Sequence, residues 1–247
     1  MPAFLTFALV APVASFGGIA VGERRAGWNR PARSAVLGLI GACLGIERED
    51  DAGQAALADE YGLALLCHAP GALLADYHTA QVPSTLRNRR FATRAAELQA
   101  PDLNTILSRR DYRVDAWHLG AVWARAAAPR WSIDAIAAAM DRPEFVPYLG
   151  RKSCPLGLHL APRLSDAADA PGALLARHAE GPEVAFRARM LNERPGAAAS
   201  AIIVLDAADA ADDPRIQRIE VRRDQPRSRR RWQFDLRHEA VLGVQTT

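Results

Sequence analysis

Residues 3–10 form an apolar run, AFLTFALV, with no alternation of polar positions. That pattern predicts a strand covered on both faces. A loop with Gly17, Gly18, Gly22 and Gly27 follows, and then an apolar helix from about 34 to 46. Ser34 is placed to cap its first turn by accepting a free backbone N–H. Gly38, Gly41 and Gly45 fall at i, i+3 and i+7, which puts them on one face as a groove for close packing against a sheet. They do not have the spacing of a dinucleotide-binding fingerprint.

A short helix is expected at 52–60, then strands near 61–68 and 72–78 with Pro70-Gly71 turning the chain between them. Residues 79–110 read as a long polar insertion with weak periodicity, a length uncommon in compact domains unless it has a task. Strand character returns at 112–125. In the next helix Ser132 caps, Asp134 suits the dipole, and Ile133, Ile136, Ala137 and Met140 keep helical spacing until Pro143. A strand near 157–161 completes the order strand, helix, strands, helix, strand. This is the order of a ferredoxin-like sandwich carrying an insertion.

Beyond residue 165 the pattern changes to a short helix at 172–178 and strands at 183–190, 200–206, 216–222 and 231–237. Val184, Phe186, Ala188 and Met190 alternate with Glu183, Arg187 and Arg189. Trp232, Phe234 and Leu236 alternate with Arg231, Asp235 and Arg237. Both read as half-buried strands with a charged outer face. The expected class is therefore α+β: a ferredoxin-like domain over 1–163 and an antiparallel β region over 164–247. The two halves either share a sheet or form subdomains.

Charge adds a functional hint. The 247 residues carry a formal net charge of +3, and Lys152 is the only lysine among 31 basic residues. Arginines gather at 24–33 (Arg24, Arg25, Arg30, Arg33), at 87–94, at Arg109, Arg110 and Arg113, and at 215–237, which includes PRSRRR at 226–231. Clusters beside strands suit a polyanion better than a dispersed excess does. Cys43, Cys67 and Cys154 show neither disulfide nor metal-ligand spacing, as expected in a reducing cytoplasm. The first residues lack a positively charged segment, and their apolar run is too short for a bilayer, so no membrane association is expected.

Two segments carry candidate chemistry. Arg30 and Arg33 stand at the mouth of the first helix, where free N–H groups and the helix dipole favour phosphate. The segment PYLGRKSCPLG, 147–157, offers backbone N–H groups, Arg151, Lys152, the Ser153 hydroxyl and Tyr148 as a stacking platform. The plain alternatives are a core helix with a solvated basic start and a rigid turn with a solvated basic pair.

Together, RPARSAVLGLIGACLGI (30–46), DYHT (76–79) and YLGRKSCPLG (148–157) resemble the CasD family of CRISPR Cascade subunits of type I-E systems, within the RAMP superfamily. The resemblance covers about residues 1–160 well and is looser after 165. It implies an RRM-related, ferredoxin-like protein with an inserted thumb, here 79–110. Such a protein binds the 5′ handle of crRNA, caps a CasC backbone filament, adjoins the large subunit CasA and meets target DNA only through the complex. No cofactor or metal is expected. On this reading Arg24, Arg25, Arg30, Arg33, Ser34 and Arg110, together with Tyr148, Arg151, Lys152, Ser153 and Cys154, touch RNA, and Trp28 stacks on a splayed base or belongs to the core. The thumb's Arg87, Arg89, Arg90 and Arg94 touch the crRNA backbone or the neighbouring CasC.

The helix mouth and the 148–154 turn are expected to converge on one ribose-phosphate track. Arg33→Ala and Arg151→Ala are expected to weaken handle binding without unfolding the chain. The competing reading is a metal-independent endoribonuclease using Tyr77, His78 and Lys152. A third is a protein-only assembly cap whose arginines face solvent or CasA.

Overall fold

In chain order the elements are β1 (Ala3–Ala14), β2 (Arg24–Arg25), α1 (Arg33–Cys43), α2 (Asp51–Glu60), β3 (Tyr61–Ala69), β4 (Ala72–Pro83), α3 (Arg94–Glu97), β5 (Leu103–Ala124) and α4 (Ile133–Asp141). They continue with β6 (Arg163–Asp166), α5 (Ala170–Glu180), α6 (Val184–Met190), β7 (Ala199–Asp206), α7 (Ala207–Ala210), β8 (Ile216–Ser228) and β9 (Gln233–Thr246). The structure is a computed structural model and describes residues 3–18, 22–84, 90–194, 198–210 and 212–246.

Among the described residues one nine-stranded sheet runs β6-β1-β5-β3-β7-β9-β8, with β2 and β4 paired to β5 off this path. Every neighbouring pair along the path is antiparallel. β1 is buried from Phe4 to Ala11. Leu5, Phe7 and Leu9 enter a core capped by Val36 and Ile40 of α1, Leu57 of α2 and Met140 of α4. Phe4, Ala8 and Val10 enter the opposite core with Ala173 and Leu174 of α5. A strand with a core on each face has no polar side to show, hence the unbroken apolar run. Full burial of Phe7, Leu9 and Ile40 contributes about 1.5–3 kcal/mol for each side chain.

The halves on either side of residue 163 share the sheet, because β3 pairs with β7 from Ala64↔Leu205 to Cys67↔Ile202. Arg163 itself opens β6. The stretch expected as a strand at 157–161 instead lies beside β1 as loop, with Gly157 N–H donating to Val10 O at 2.9 Å and Ala8 N–H to Leu160 O at 2.8 Å.

The 79–110 insertion is largely a β-hairpin, wider than expected. β5 is 22 residues long. Its second half lies between β1 and β3, whereas Leu103–Val114 pairs with β4 along its whole length. Ala72–Tyr77 of β4 are all exposed, and the buried residue of β5 facing them is a carboxylate, Asp111, so this arm has no buried apolar side to read. The arm departs at Gly71, whose φ of +74° is left-handed and where a Cβ would crowd Val114 O and Ala116 N.

Three further expectations need correction. Residues 184–190 are α6, not a strand: the inward positions Glu183, Val184, Arg187 and Ala188 follow helical spacing, and the buried Arg187 donates to His178 O at 2.7 Å. In β9 Phe234 is buried and Asp235 exposed as expected, but the phase shifts after them, with Leu236 exposed and Arg237 and Glu239 buried, and Trp232 lies in the preceding turn. The glycine row of α1 faces no sheet. Gly41 meets Leu57 of α2 and Gly38 meets Arg229, while Gly45 (φ +72°) ends the helix with Ile46 N–H donating to Gly41 O at 2.8 Å.

Candidate nucleic-acid interface

α1 begins at Arg33, and its N-cap, Ala32, has no side chain to donate or accept. Ser34 lies inside the helix and is not its cap. The cap comes from β8: Asp224 Oδ2 accepts the Arg33 N–H at 2.9 Å. A carboxylate already occupies this helix mouth, where phosphate was expected.

The two arginines beside it are internal. Arg30 is 5% exposed and pairs with Glu239 and, at 2.6 Å, with Glu220. Arg33 is 2% exposed and donates to Ala58 O at 2.9 Å, Tyr61 O at 2.8 Å and Gln225 Oε1 at 3.0 Å, with Asp206 at 3.4 Å. They belong to a network in which Arg30, Arg33, Arg125, Arg222 and Arg237 face Asp206, Asp209, Asp224, Glu220 and Glu239. These five guanidiniums and five carboxylates pair with one another, which is what allows the buried ones to be buried at all, and the exposed Arg218 adds a sixth cation at Glu220, 2.7 Å away. Burial lowers the Arg33 pKa to about 10, still charged at neutral pH. Burial pushes the Asp224 carboxyl up, but the hydrogen bonds and charge of Arg237, the Arg33 N–H and the charge of Arg222 together hold it below the usual range. Arg30 and Arg33 are therefore corrected from RNA contacts to internal ties between α1 and the C-terminal strands. Trp28 is likewise taken: it is half-buried, with the Arg222 guanidinium 4.0 Å from its ring centre.

The 148–155 loop does face outward. It is a tied turn, with Leu149 N–H donating to Cys154 O at 2.9 Å, Cys154 N–H donating to Arg151 O at 2.8 Å, and Tyr148 bridged to Pro155. Ser15 N–H at the end of β1 donates to Leu149 O at 3.0 Å. Gly150 has φ +92°, and any Cβ there would overlap the Ser15 carbonyl, so the turn and its seat both require glycine. Lys152 and Ser153 are exposed and Tyr148 is 37% exposed, but Cys154 is fully buried and is not a contact. Arg151 stacks on Tyr112 of β5 at 4.7 Å. That contact joins the loop to the root of the hairpin.

There β2 lies along β5, Arg24 beside Arg109 and Arg25 beside Arg110. Two residues on along β5, Tyr112 shares the face of Arg110. The result is a cationic strip at one end of β1, with Arg25, Arg110, the stacked Arg151 and Lys152. Arg24 and Arg109 lie on the other face, 4.0 and 3.8 Å from the buried Asp111. Arg113 donates to Trp28 O, and its β1 partner is Ala14, so the helix mouth and the 148–155 loop do sit at one end of β1. On the loop side Lys152 is exposed and Arg110 half-buried, Arg25 donates to Gly22 O and Arg151 stacks on Tyr112.

Tyr77 and His78, consecutive on β4, point to opposite faces of the hairpin, opposite Arg109 and Ser108 respectively. They cannot join Lys152 in one site. On the arm, Arg90 is exposed and Arg94 pairs with Glu97 at 2.6 Å, while Arg87 and Arg89 lie outside the described residues. Burial pushes the thiols of Cys43 and Cys67 up to about 11 and about 12. Among the described residues no cluster of three or more His, Cys, Asp or Glu has metal-binding geometry, and no helix is long and apolar enough to cross a membrane.

Sequence reasoning missed Arg48 and the setting of Trp232. Arg48 Nε donates to Arg229 O at 3.0 Å, and its guanidinium lies 4.9 Å from the Trp232 ring centre. The Arg-Trp run at 229–232 is a signal for this turn, but Arg48 is invisible to it because the two are far apart in the chain.

Comparison with known proteins gives a consistent picture. The family described as "CRISPR-associated protein (Cas_Cas5)" matches residues 4–238. A curated relative, "CRISPR system Cascade subunit CasD" of Escherichia coli (strain K12), is 31% identical over 183 residues, covering 71% of this chain and 77% of the relative. A chain solved in a "CRISPR RNA-guided surveillance complex" superposes with a TM-score of 0.65 at 23% identity, covering 99% of this chain and 90% of that one. A second, described as "Crystal structure of Cas protein", has a TM-score of 0.57 at 20% identity over 98% and 94% of the two chains. These superpositions establish a shared mixed α/β architecture built on a large antiparallel sheet. With its family match spanning nearly the whole sequence, the chain belongs to the CRISPR-associated protein (Cas_Cas5) family.

Proposed function

We propose that this chain is a non-catalytic Cascade subunit that grips the 5′ handle of crRNA and caps a CasC backbone filament beside the large subunit CasA. The observation that carries the reading is the joining of the 148–155 loop to the hairpin root through Arg151 and Tyr112. It assembles Arg25, Arg110, Lys152 and the Ser153 hydroxyl at one end of β1. The similarity to the E. coli "CRISPR system Cascade subunit CasD" supports membership of a Cascade complex.

Unstacked RNA offers phosphates, 2′-hydroxyls and base edges to such a strip. Each cation pairs with a phosphate and displaces a counterion, so affinity falls with salt. The β4–β5 arm is the thumb of this reading and reaches toward the handle–spacer junction or the neighbouring CasC. The order β1, α1, β3, β5, α4, β6, with β6-β1-β5-β3 adjacent in the sheet, supports a ferredoxin-like, RRM-related core. Target DNA meets the protein through the assembled complex, in the cytoplasm. The opposed directions of Tyr77 and His78 argue against the nuclease alternative.

The test is incubation of the purified full chain with labelled precursor repeat RNA in a chelator. Salt-sensitive binding of the handle without cleavage supports the proposal. Cleavage under these conditions overturns the non-catalytic reading, and absence of binding overturns the handle assignment.

A further inference from the structure

The basic turn between β8 and β9 is not needed by the strip above, and its construction is unusual. Trp232 has a left-handed φ of +56°, a conformation that is costly for a bulky side chain and persists only where the surroundings enforce it. The ring it holds out is 53% exposed. Arg48 lies over it at 4.9 Å, and Phe234 meets it edge-on at 5.3 Å. The Arg229 guanidinium lies 6.0 Å from the same ring, and in the surrounding sequence Arg227, Arg230 and Arg231 are exposed, with Asp235, 3.8 Å from Arg227, as an acidic neighbour.

The turn is also tied down. Arg229 crosses α1 in the space left by Gly38 and donates to Ser34 O. Arg231 N–H donates to Ser228 Oγ at 3.2 Å, and Trp232 N–H to Arg229 O at 3.3 Å. A solvated hairpin tip needs neither a strained, outward aromatic nor an arginine threaded across a helix.

We propose that the β8–β9 turn is a second seat for single-stranded nucleic acid, in which Trp232 stacks a base and Arg48, Arg230 and Arg231 hold the flanking phosphates. Every base has a π-face, so an exposed indole among cations accepts a strand with little regard to sequence. Base stacking on an indole is stronger than an exposed cation–π contact, so a base displaces Arg48 from the ring and frees its guanidinium for phosphate. The chemistry is shared by an RNA segment and a displaced DNA strand. It goes beyond the handle assignment by adding an element that can fail or hold separately from the 148–155 loop.

The experiment titrates the full-length protein with fluorescent oligo-uridine RNA and oligo-thymidine DNA of about 12 nucleotides, within the usual span of a single-strand site. Trp232→Ala is expected to weaken binding to at least one of them about tenfold, and Trp232→Phe to restore most of the loss. Arg230→Ala with Arg231→Ala is expected to reduce the slope of log K against log salt by about 1.4, two phosphate contacts on a single strand. All three variants are expected to keep the wild-type thermal midpoint. The RNA and DNA arms tell which strand the seat prefers. Wild-type affinity and salt slope in every variant, for both oligonucleotides, overturn the proposal and leave the turn as a protein-facing surface. Lys152→Ala, measured in parallel on handle RNA, reads the 148–155 loop independently, so failure of the turn and failure of the handle site are distinguishable.

Discussion

Replacing Arg33 with alanine is expected to damage stability before it damages binding, the reverse of what its place in a basic helix mouth suggests. Its guanidinium is 2% exposed and holds the carbonyls of Ala58 and Tyr61, the amide oxygen of Gln225 and the Asp206 carboxylate. Truncation leaves two buried carbonyls without this donor and Asp206 with one cation fewer. Removing one partner of a buried ionic set costs about 3–5 kcal/mol. In a chain of this size that lowers the thermal midpoint by about 6–20 °C. Urea unfolding followed by circular dichroism measures it directly, with the exposed Lys152→Ala as a control expected to stay within about 0.5 kcal/mol of wild type. An Arg33→Ala protein as stable as that control, yet impaired in RNA binding, would refute the reasoning and return Arg33 to the interface.

Gly150→Ala is expected to cost about 1–3 kcal/mol, because φ of +92° is strained for alanine and the new Cβ meets Ser15 O; denaturant titration measures the loss, and handle affinity falls with it as the loop lifts. Acid should also destabilise the protein. Burial, the largest cause in each case, lowers the pKa of His118 from 6.5 to about 3 and that of His178 to about 4. Both are neutral in the fold and take up protons more readily once unfolded. Stability is therefore full above pH 6.5 and is lost as the pH falls toward 4 and 3, which thermal midpoints across that range will show. His118→Leu should flatten this dependence without loss at neutral pH, since both ring nitrogens of His118 are buried without a partner. His78→Ala is expected to leave handle affinity and the intactness of repeat RNA unchanged, checked by gel electrophoresis after incubation.

What the sequence discloses about this fold depends on how local the cause is. α4 is fully legible because its cap, Ser132 Oγ accepting Ala135 N–H at 3.1 Å, and its buried Ile136 and Met140 lie within nine residues. β1 and β3 are legible because two-sided burial leaves continuous apolar runs. The β4–β5 arm reads as irregular because its strands bury no apolar face and the buried side chain at 111 is an aspartate. α6 is misread because its inward residue at 187 is an arginine, held by Glu193 at 3.1 Å and by a backbone carbonyl. Arg30 and Arg33 are misread for the same reason at longer range. Their carboxylate partners lie at 206, 220, 224 and 239, and nothing in the local pattern separates an arginine aimed at phosphate from one aimed at a distant Asp. At the candidate site the loop was legible through Gly150, Lys152 and Ser153. Its seat on Ser15 and its stack on Tyr112 were not, since both partners come from other strands.

Photo-crosslinking of 4-thiouridine-substituted handle RNA to the full-length protein, followed by mass spectrometric mapping, tests the central claim most directly. Adducts concentrated at Tyr148 to Ser153 and near Arg25 and Arg110, competed away by unlabelled handle, are the expected result. Adducts confined to α5 and α6, or none above those formed with an unrelated RNA, would contradict it.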